Sequence, residues 1–405
     1  MDVESSTTAT ADRAGRGAWL LLFVLSGNML LDSIEGSVVL LAVPEIGRSL
    51  GASSATTQWL LSGFALGFAA FIVLGPAITA RWGTRKVYLG AMVVFTVASL
   101  LGGLTEDIGL LIATRVLKGG CVALTAPLGL ALIGAAFPDA TRQRRAVLTY
   151  ALFGAAGFTV GLVLSGVLTG IDWRWTFLAP APVALALLLV GSGLITHAPA
   201  QPRRGLSGRV RERGLLLRST FGAAALNGAY IGLLLVISVQ LDERRWAPWQ
   251  IALALLPACV PLVISVPFAG RLIAWFGTVR LIAAGAGAAL LAGVLALWRS
   301  GGGPYMSAML PALLLVGIAL VLSFAALNTQ AAAGTAPDDR PAAVAFFQTG
   351  VQLGAAALLV PVGVLLAGTD SYRPALIAVV AAAFLCCATA AAGLWADRSE
   401  REVRP

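Results

Sequence analysis

Two acidic and two basic side chains interrupt otherwise apolar stretches of this sequence. Asp32 and Glu35 lie in the first stretch, and Arg115 and Lys118 lie in the fourth. A carboxylate can bind and release a proton, and both burial and a neighbouring cation alter how readily it does so. Charged residues within a membrane are costly and commonly mark the route of an ion or a substrate. This pattern indicates a membrane protein that couples substrate movement to protonation.

The composition indicates that lipid surrounds most of this chain. Its 405 residues are 58% hydrophobic and 12% charged, and the mean hydropathy is +0.88. Soluble domains carry about 25% charged residues. The chain has one histidine, and its four cysteines all lie in apolar stretches, so we predict neither a metal site nor a disulfide framework.

Twelve apolar runs are long enough to cross the hydrocarbon core as helices, which takes about 20 residues each. Because the runs are continuous rather than alternating, they predict helices and not the strands of a membrane barrel. The runs cover residues 18–43, 57–79, 87–104, 108–136, 146–168, 176–197, 219–240, 250–269, 281–298, 305–333, 342–367 and 373–395.

The distribution of Lys and Arg predicts that both termini are cytoplasmic. With the amino terminus inside, 20 of the 28 Lys and Arg residues fall in inner segments and six fall in outer segments. The net charge of +9 is then a topology signal, and no nucleic-acid partner is predicted.

A basic stretch containing Pro and Gly divides the chain into two halves of six runs. A Gly-Thr step begins at Gly83 and again at Gly277, 194 residues later, which is a weak internal repeat. Parallel repeats of this kind place a substrate site near the membrane midplane between the halves. We predict a disordered cytoplasmic tail, a six-helix bundle, a cytoplasmic linker, a second six-helix bundle and a cytoplasmic tail over residues 1–17, 18–197, 198–218, 219–396 and 397–405.

Five short motifs occur in order along the first half. They are an acid followed nine residues later by proline, a basic loop, an Arg-x-x-Lys-Gly step, spaced glycines, and a Trp-Arg-Trp step. Their ranges are Glu35–Pro44, Pro76–Arg85, Arg115–Gly119, Gly157–Gly166 and Trp173–Phe177. In this order and spacing the motifs resemble the major facilitator superfamily, in particular its drug:proton antiporter branch, and the resemblance covers nearly the whole chain.

The resemblance implies an all-α integral membrane protein with twelve transmembrane helices in two six-helix bundles. It implies a secondary active transporter of the cell membrane that exports small amphipathic or drug-like compounds in exchange for protons, by alternating access. Such a protein is not an enzyme and needs no cofactor besides the proton gradient. Its partners would be the lipid bilayer, protons and a small-molecule substrate, and it would act as a monomer.

The family motifs also imply which residues take part in gating, and three departures affect them. Lys118 stands where the family has glutamine, Leu162 replaces the proline of its exporters, and Ala80 replaces an acid that helps to latch the cytoplasmic side of family members. The expected conformational or gating residues are Arg81, Gly83, Arg85, Gly157, Gly161 and Gly166.

Glu35 is the expected carrier of the coupling proton, with Arg115 as the partner that couples the two helices. Both lie about eight residues from the outer ends of their runs, so their depths match. Asp32, three residues before Glu35, is an auxiliary acid, because two close carboxylates titrate as a pair. The alternative is a static ion pair that only orders the helices. Lys118 could contact an anionic substrate, but charge balance with the two acids is the preferred interpretation.

Substrate contact is also expected of polar residues on the helices that line the family's central cavity. Interhelical hydrogen bonding is an equally good explanation for each of them. These residues are Asn28, Asn227, Tyr230, Gln348 and Gln352.

Three other functions stay open at this level. One is a proton-coupled carrier of metabolites or amino acids. A membrane-embedded enzyme would need a catalytic constellation near an interface, and the sequence shows no such pattern. A non-transporting sensor could have kept the fold, and the departures at Ala80 and Leu162 are compatible with it.

Overall fold

The computed structural model describes residues 2–195, 210–300, 303–333, 339–369 and 371–402. Within these residues, twelve helical segments are long and apolar enough to cross a membrane, and each corresponds to one predicted run. We number them spans 1 to 12, as follows: Gly17–Glu35, Ala55–Trp82, Thr84–Leu104, Ile108–Ala136, Thr141–Ile171, Trp175–Leu194, Gly214–Glu243, Pro248–Phe276, Thr278–Trp298, Tyr305–Ala333, Ala342–Gly368 and Arg373–Trp395.

The helices themselves extend beyond some spans and divide others. Span 8 is divided by a short 3₁₀ turn, Val266–Phe268, which contains a proline and therefore lacks one backbone donor. The α-helices are Asp2–Glu35, Val43–Leu50, Ser54–Thr57, Trp59–Trp82, Thr84–Leu104, Ile108–Ala136, Ala140–Ile171, Trp175–Leu178, Pro180–Leu194, Val210–Glu243, Pro248–Ser265, Ala269–Phe276, Thr278–Trp298, Tyr305–Ala308, Leu310–Ala333, Arg340–Gly368 and Arg373–Glu402.

The first run differs from its prediction. It was expected to be helical over 18–43, but the regular helix ends at Glu35 and residues 36–42 form turns before the next helix. Span 5 satisfies polar groups of these turns: Ser37 Oγ donates to the Phe158 carbonyl at 2.7 Å, and the Leu41 N–H donates to Ser165 Oγ at 3.2 Å. Glu35 therefore lies at a helix end, where backbone carbonyls are free to accept other donors.

The internal repeat is visible in the backbone. Gly83 and Gly277 separate spans 2 and 3 and spans 8 and 9, with φ of 80° and 74° respectively. Glycine adopts a positive φ at little cost. At both positions, therefore, a single glycine separates the end of one helix from the start of the next.

Spans 1–6 pack into one bundle and spans 7–12 into another, and the bundles meet where span 2 packs on span 11 and span 5 packs on span 8. Two glycines permit this approach. A Cβ on Gly166 would lie 2.6 Å from Ala252 Cβ, and a Cβ on Gly363 would collide with the Gln58 side chain. Gln58 and Ala252 are 194 residues apart, the same offset as the Gly-Thr repeat, and the two glycines are 197 residues apart, so the repeat relates the two contacts to within one helical turn.

The predicted all-helical twelve-span architecture is confirmed, whereas the orientation of the termini stays a prediction. Most of the predicted linker, 198–218, lies in residues 196–209, outside the described part of the chain. The helix Val210–Glu243 includes the rest of it. The end of the second tail, residues 403–405, also lies outside the described residues.

Candidate functional site

Glu35 contacts two cations from span 4 inside the first bundle. Its Oε2 accepts a hydrogen bond from Arg115 Nη1 at 2.7 Å, and its Oε1 lies 2.6 Å from Lys118 Nζ. Arg115 Nη2 also donates to the Glu35 carbonyl at 2.9 Å, at the point where the regular helix ends. All three side chains are at most 1% exposed. We call these residues the ion triad.

Span 4 presents both cations on one face because Arg115 and Lys118 are three residues apart. Arg115 Nε donates to the Leu60 carbonyl of span 2 at 3.0 Å, and its guanidinium lies 4.6 Å from the centre of the Phe64 ring. Lys118 Nζ lies 4.9 Å from the centre of the Phe95 ring. Aromatic faces attract cations, so these rings help to hold the charged groups in an apolar core.

Asp32 lies one turn before Glu35 and has different surroundings. Its Oδ2 accepts hydrogen bonds from Asn28 Nδ2 at 3.0 Å and from Thr125 Oγ1 at 2.8 Å. The side chain is 4% exposed. Among the described residues, no cation lies within ion-pair distance of Asp32, so one acid of the pair has cationic partners and the other has neutral ones.

The Thr125 hydroxyl has one proton to donate and three acceptors within reach. Besides Asp32, it lies 3.1 Å from the Cys121 carbonyl and 3.3 Å from the Val122 carbonyl. A hydroxyl donates one hydrogen bond and can accept others. Thr125 can therefore donate to Asp32 or donate to its own helix, and sequence reasoning missed it. Its position two turns after Lys118 was the available signal, because residues seven apart share a helix face.

Two buried tyrosines from other spans also face this region and were missed. Tyr88 on span 3 and Tyr150 on span 5 are each near enough to interact electrostatically with Asp32. Tyr150 donates to the Ala126 carbonyl at 2.9 Å. The Tyr88 hydroxyl has no hydrogen-bond partner within the described chain. Asn28 donates a hydrogen bond to Asp32 in this arrangement, and its predicted contact with substrate stays a prediction.

The spaced glycines of span 5 contact two different partners. A Cβ on Gly157 would lie 2.5 Å from the Leu30 carbonyl, and one on Gly161 would lie 2.7 Å from the Ile34 carbonyl, so both pack against span 1. Gly166 packs against span 8 of the other bundle. This motif therefore connects the acid-bearing helix to the interface between the bundles.

The predicted basic loop has a local role in the structure. Arg85 Nη2 donates to the Ser192 carbonyl at the end of span 6, at 2.8 Å. Arg81 is exposed. Gly83 provides the turn already described, and the gating roles predicted for the three residues stay predictions.

Four residues of the second bundle were expected to contact substrate, and the structure shows the contacts that each of them makes. Asn227 Nδ2 donates to the Val351 carbonyl at 3.1 Å, and Tyr230 Oη lies 3.4 Å from the Ala258 carbonyl of span 8. Both are contacts between helices, the alternative that the sequence left open. Gln348 and Gln352 are half-buried and, within the described residues, make no hydrogen bond through their amides. The Tyr230 ring lies 6.1 Å from the Phe158 ring of span 5, across the bundle interface.

A family model described as Major Facilitator Superfamily matches residues 21–336. This chain belongs to the major facilitator superfamily. The predicted family is confirmed, and the twelve apolar helices make this member a multi-pass protein of the cell membrane. The crystal structure of a point mutant of the nucleoside transporter NupG superposes with a TM-score of 0.70 over 92% of this chain and 98% of that one. At 12% identity, this likeness shows the fold alone.

Several relatives have names that refer to resistance or export. The puromycin resistance protein pur8 of Streptomyces alboniger is 33% identical over 245 residues, which cover 56% of this chain and 48% of that protein. The cephamycin export protein CmcT of Amycolatopsis lactamdurans is 28% identical over 66% of this chain and 53% of its own length. The multidrug efflux pump LfrA of Mycolicibacterium smegmatis is 32% identical over 48% and 38%. This superfamily member thus spans about half of their length or less.

Proposed function

We propose that this chain is a secondary active transporter that exports small amphipathic or drug-like compounds in exchange for protons. The observation that carries the proposal is the buried cluster of two acids and two bases on spans 1 and 4. Structural packing alone rarely requires four charges at such depth, whereas a proton-coupled carrier needs a buried acid that can change its charge. Relatives named for drug resistance and antibiotic export support the class of substrate.

The interface between the bundles supports an alternating-access mechanism. Span 5 carries Gly157 and Gly161 against span 1 and Gly166 against span 8, so a shift of the acid-bearing helix is transmitted to the interface. An ion pair between Arg48 and Asp242, at 3.3 Å, also joins the two bundles at the ends of their helices. Movement of the two bundles apart at this end must break the contact of Gly166 with span 8 and the ion pair between Arg48 and Asp242 together.

The remaining parts of the proposal follow from the family. The chain acts as a carrier and not as an enzyme, the proton gradient replaces a cofactor, and its partners are the bilayer, protons and the transported compound. Both termini face the cytoplasm, and the working unit is a monomer. Gln348 and Gln352 on span 11 are the polar groups best placed to meet a substrate, because their amides are half-buried and have no partner in the described chain.

The test is proton flux in proteoliposomes that contain a pH-sensitive dye. A panel of amphipathic compounds, puromycin among them, is added to the wild type and to Arg299→Gln, an exposed control outside the cluster. We expect compound-dependent proton flux in both proteins, and its loss when a protonophore collapses the gradient. Folded protein that moves neither protons nor any compound of the panel would contradict the proposal.

A further inference from the structure

We propose that Asp32, and not the family acid Glu35, binds the coupling proton, and that Lys118 causes this division of roles. The proposal rests on the proton exchange proposed above. The proposal concerns which side chain binds the proton. The evidence for it is the geometry around the two carboxylates.

Glu35 has cationic partners, whereas Asp32 has neutral ones. Each of its carboxylate oxygens contacts a different cation, at 2.7 Å for Arg115 and 2.6 Å for Lys118. A proton on this carboxyl would leave two buried cations facing a neutral group, and a buried charge without a counter-ion is strongly unfavourable. The ion triad is therefore most stable with Glu35 as the carboxylate.

Lys118 supplies the second cation of this environment. A neutral side chain at this position would give Glu35 a single cationic partner, Arg115. The ammonium group adds a second positive charge at 2.6 Å from Oε1. It also lies one turn from Arg115 on the same face of span 4, so the carboxylate between the two cations offsets their mutual repulsion.

Asp32 accommodates either protonation state without moving a heavy atom. When it is ionised, Thr125 Oγ1 donates to Oδ2 at 2.8 Å. When Oδ2 takes up a proton, that O–H can donate to Thr125 Oγ1, and the threonine hydroxyl rotates to donate to the Cys121 carbonyl at 3.1 Å. One proton is gained, one hydrogen bond reverses and one forms. Asn28 Nδ2 keeps its contact with Oδ2 in both states.

The groups around Asp32 leave it free to change charge. Tyr88 of span 3, Tyr150 of span 5 and Cys121 of span 4 face it and are neutral at ordinary pH. Glu35 of span 1 also faces it, but two cations contact Glu35, so the ion triad as a whole carries one positive charge when Glu35 is ionised. With both acids ionised the four-charge cluster is neutral, and protonation of Asp32 gives it one positive charge. A proton at Asp32 thus changes the charge of the bundle core while every ion pair remains intact.

The proposal can be tested without any substrate. Infrared difference spectra between the wild type and each variant, recorded in lipid bilayers over a range of pH, separate the carbonyl band of a buried protonated carboxylic acid from the bands of the exposed Asp and Glu side chains, which the proteins share. Asp32→Asn removes the proposed site with an isosteric side chain that can still donate to Thr125. The double variant Glu35→Gln with Lys118→Gln removes the family acid together with one cation, so its cluster stays neutral when Asp32 is ionised. Unfolding curves verify that both variants are folded.

We expect the band of a buried carboxylic acid to titrate in the wild type and the double variant, and to be lost in Asp32→Asn. A band that persists in Asp32→Asn, or is lost in the double variant, would overturn the proposal, as would a wild type with no titrating band. The failure of the proposed function can be distinguished from the failure of this inference. If Asp32 titrates but no compound-dependent proton flux occurs, proton exchange is refuted and the proton-binding site stands. If flux occurs but the titrating band belongs to Glu35, only this inference is refuted.

Discussion

Replacing Glu35 by glutamine should destabilise the protein far more than replacing Asp32 by asparagine. Both changes remove one negative charge from the same turn of span 1 at nearly full burial. Glu35→Gln leaves two cations without their carboxylate, and breaking a buried ion pair by removing one partner costs about 3–5 kcal/mol. Asp32→Asn breaks no ion pair and keeps acceptable hydrogen bonds, so we expect a loss of about 1 kcal/mol or less.

The contacts of each cation predict how this loss divides. Without the Glu35 carboxylate, Arg115 keeps its bonds to the Leu60 and Glu35 carbonyls and its contact with Phe64. Among the described residues, Lys118 then keeps the faces of two aromatic rings, of which Phe95 is the nearer, and a buried contact of that kind contributes about 2 kcal/mol, less than the cost of losing the carboxylate. Most of the cost therefore falls on Lys118, and Lys118→Gln should restore most of the stability of Glu35→Gln.

The assay is equilibrium unfolding in mixed detergent micelles, applied to the wild type, Glu35→Gln, Lys118→Gln, their double variant and Asp32→Asn. A double-mutant cycle isolates the interaction between the two changed residues. We expect a coupling energy of about 2 kcal/mol or more between Glu35 and Lys118. Equal stability of Glu35→Gln and Asp32→Asn, or additive effects in the cycle, would refute the argument that Glu35 is held by two cations.

Two further predictions concern the bundle interface and the end of span 7. Gly166→Ala should slow transport several-fold in the proton-flux assay while the protein stays folded, because the added methyl group meets Ala252 and Pro248 of the other bundle. Gly170→Ala is the control on the same span. Its added Cβ meets nothing within 4 Å, so this variant should transport like the wild type. Burial and the neighbouring Glu243 carboxylate raise the pKa of the Tyr372 phenol, which donates a hydrogen bond to that carboxylate. The contribution of Tyr372 to stability should therefore be constant below about pH 10, where the unfolded phenol is still protonated, and should be lost above it. Tyr372→Phe should reduce the fall in stability above this pH, measured by unfolding curves at rising pH.

The twelve spans were predictable because each depends on a local property, a continuous apolar run of sufficient length. The end of the first helix was not, since the run stays apolar through residue 43 while the backbone turns after Glu35. That change depends on groups from span 5, including the Phe158 carbonyl and the Ser165 hydroxyl, that satisfy the polar groups of the turn. A tertiary hydrogen bond of this kind leaves no trace in hydropathy.

The candidate site shows the same division. Four charges in apolar runs indicated a buried cluster, and the spacing of Arg115 and Lys118 placed both on one helix face. The spacing of the acids did not reveal that they would meet different partners. Asp32 and Glu35 are one turn apart on span 1, but they contact residues two turns apart on span 4, Thr125 and Lys118. Only the packing of the two helices determines which acid meets a cation.

This packing gives the departure at Lys118 a physical consequence. A cation added beside an existing arginine would normally destabilise a bundle core, because two like charges repel within a medium of low dielectric constant. Here Glu35 lies between the two cations, and Asp32 supplies the further negative charge that makes the cluster neutral. Neutrality then depends on the ionisation of Asp32 alone, because every other charge is held in the ion triad. Lys118 thus favours the ionised form of Glu35, and Asp32 becomes the acid whose charge changes when a proton binds.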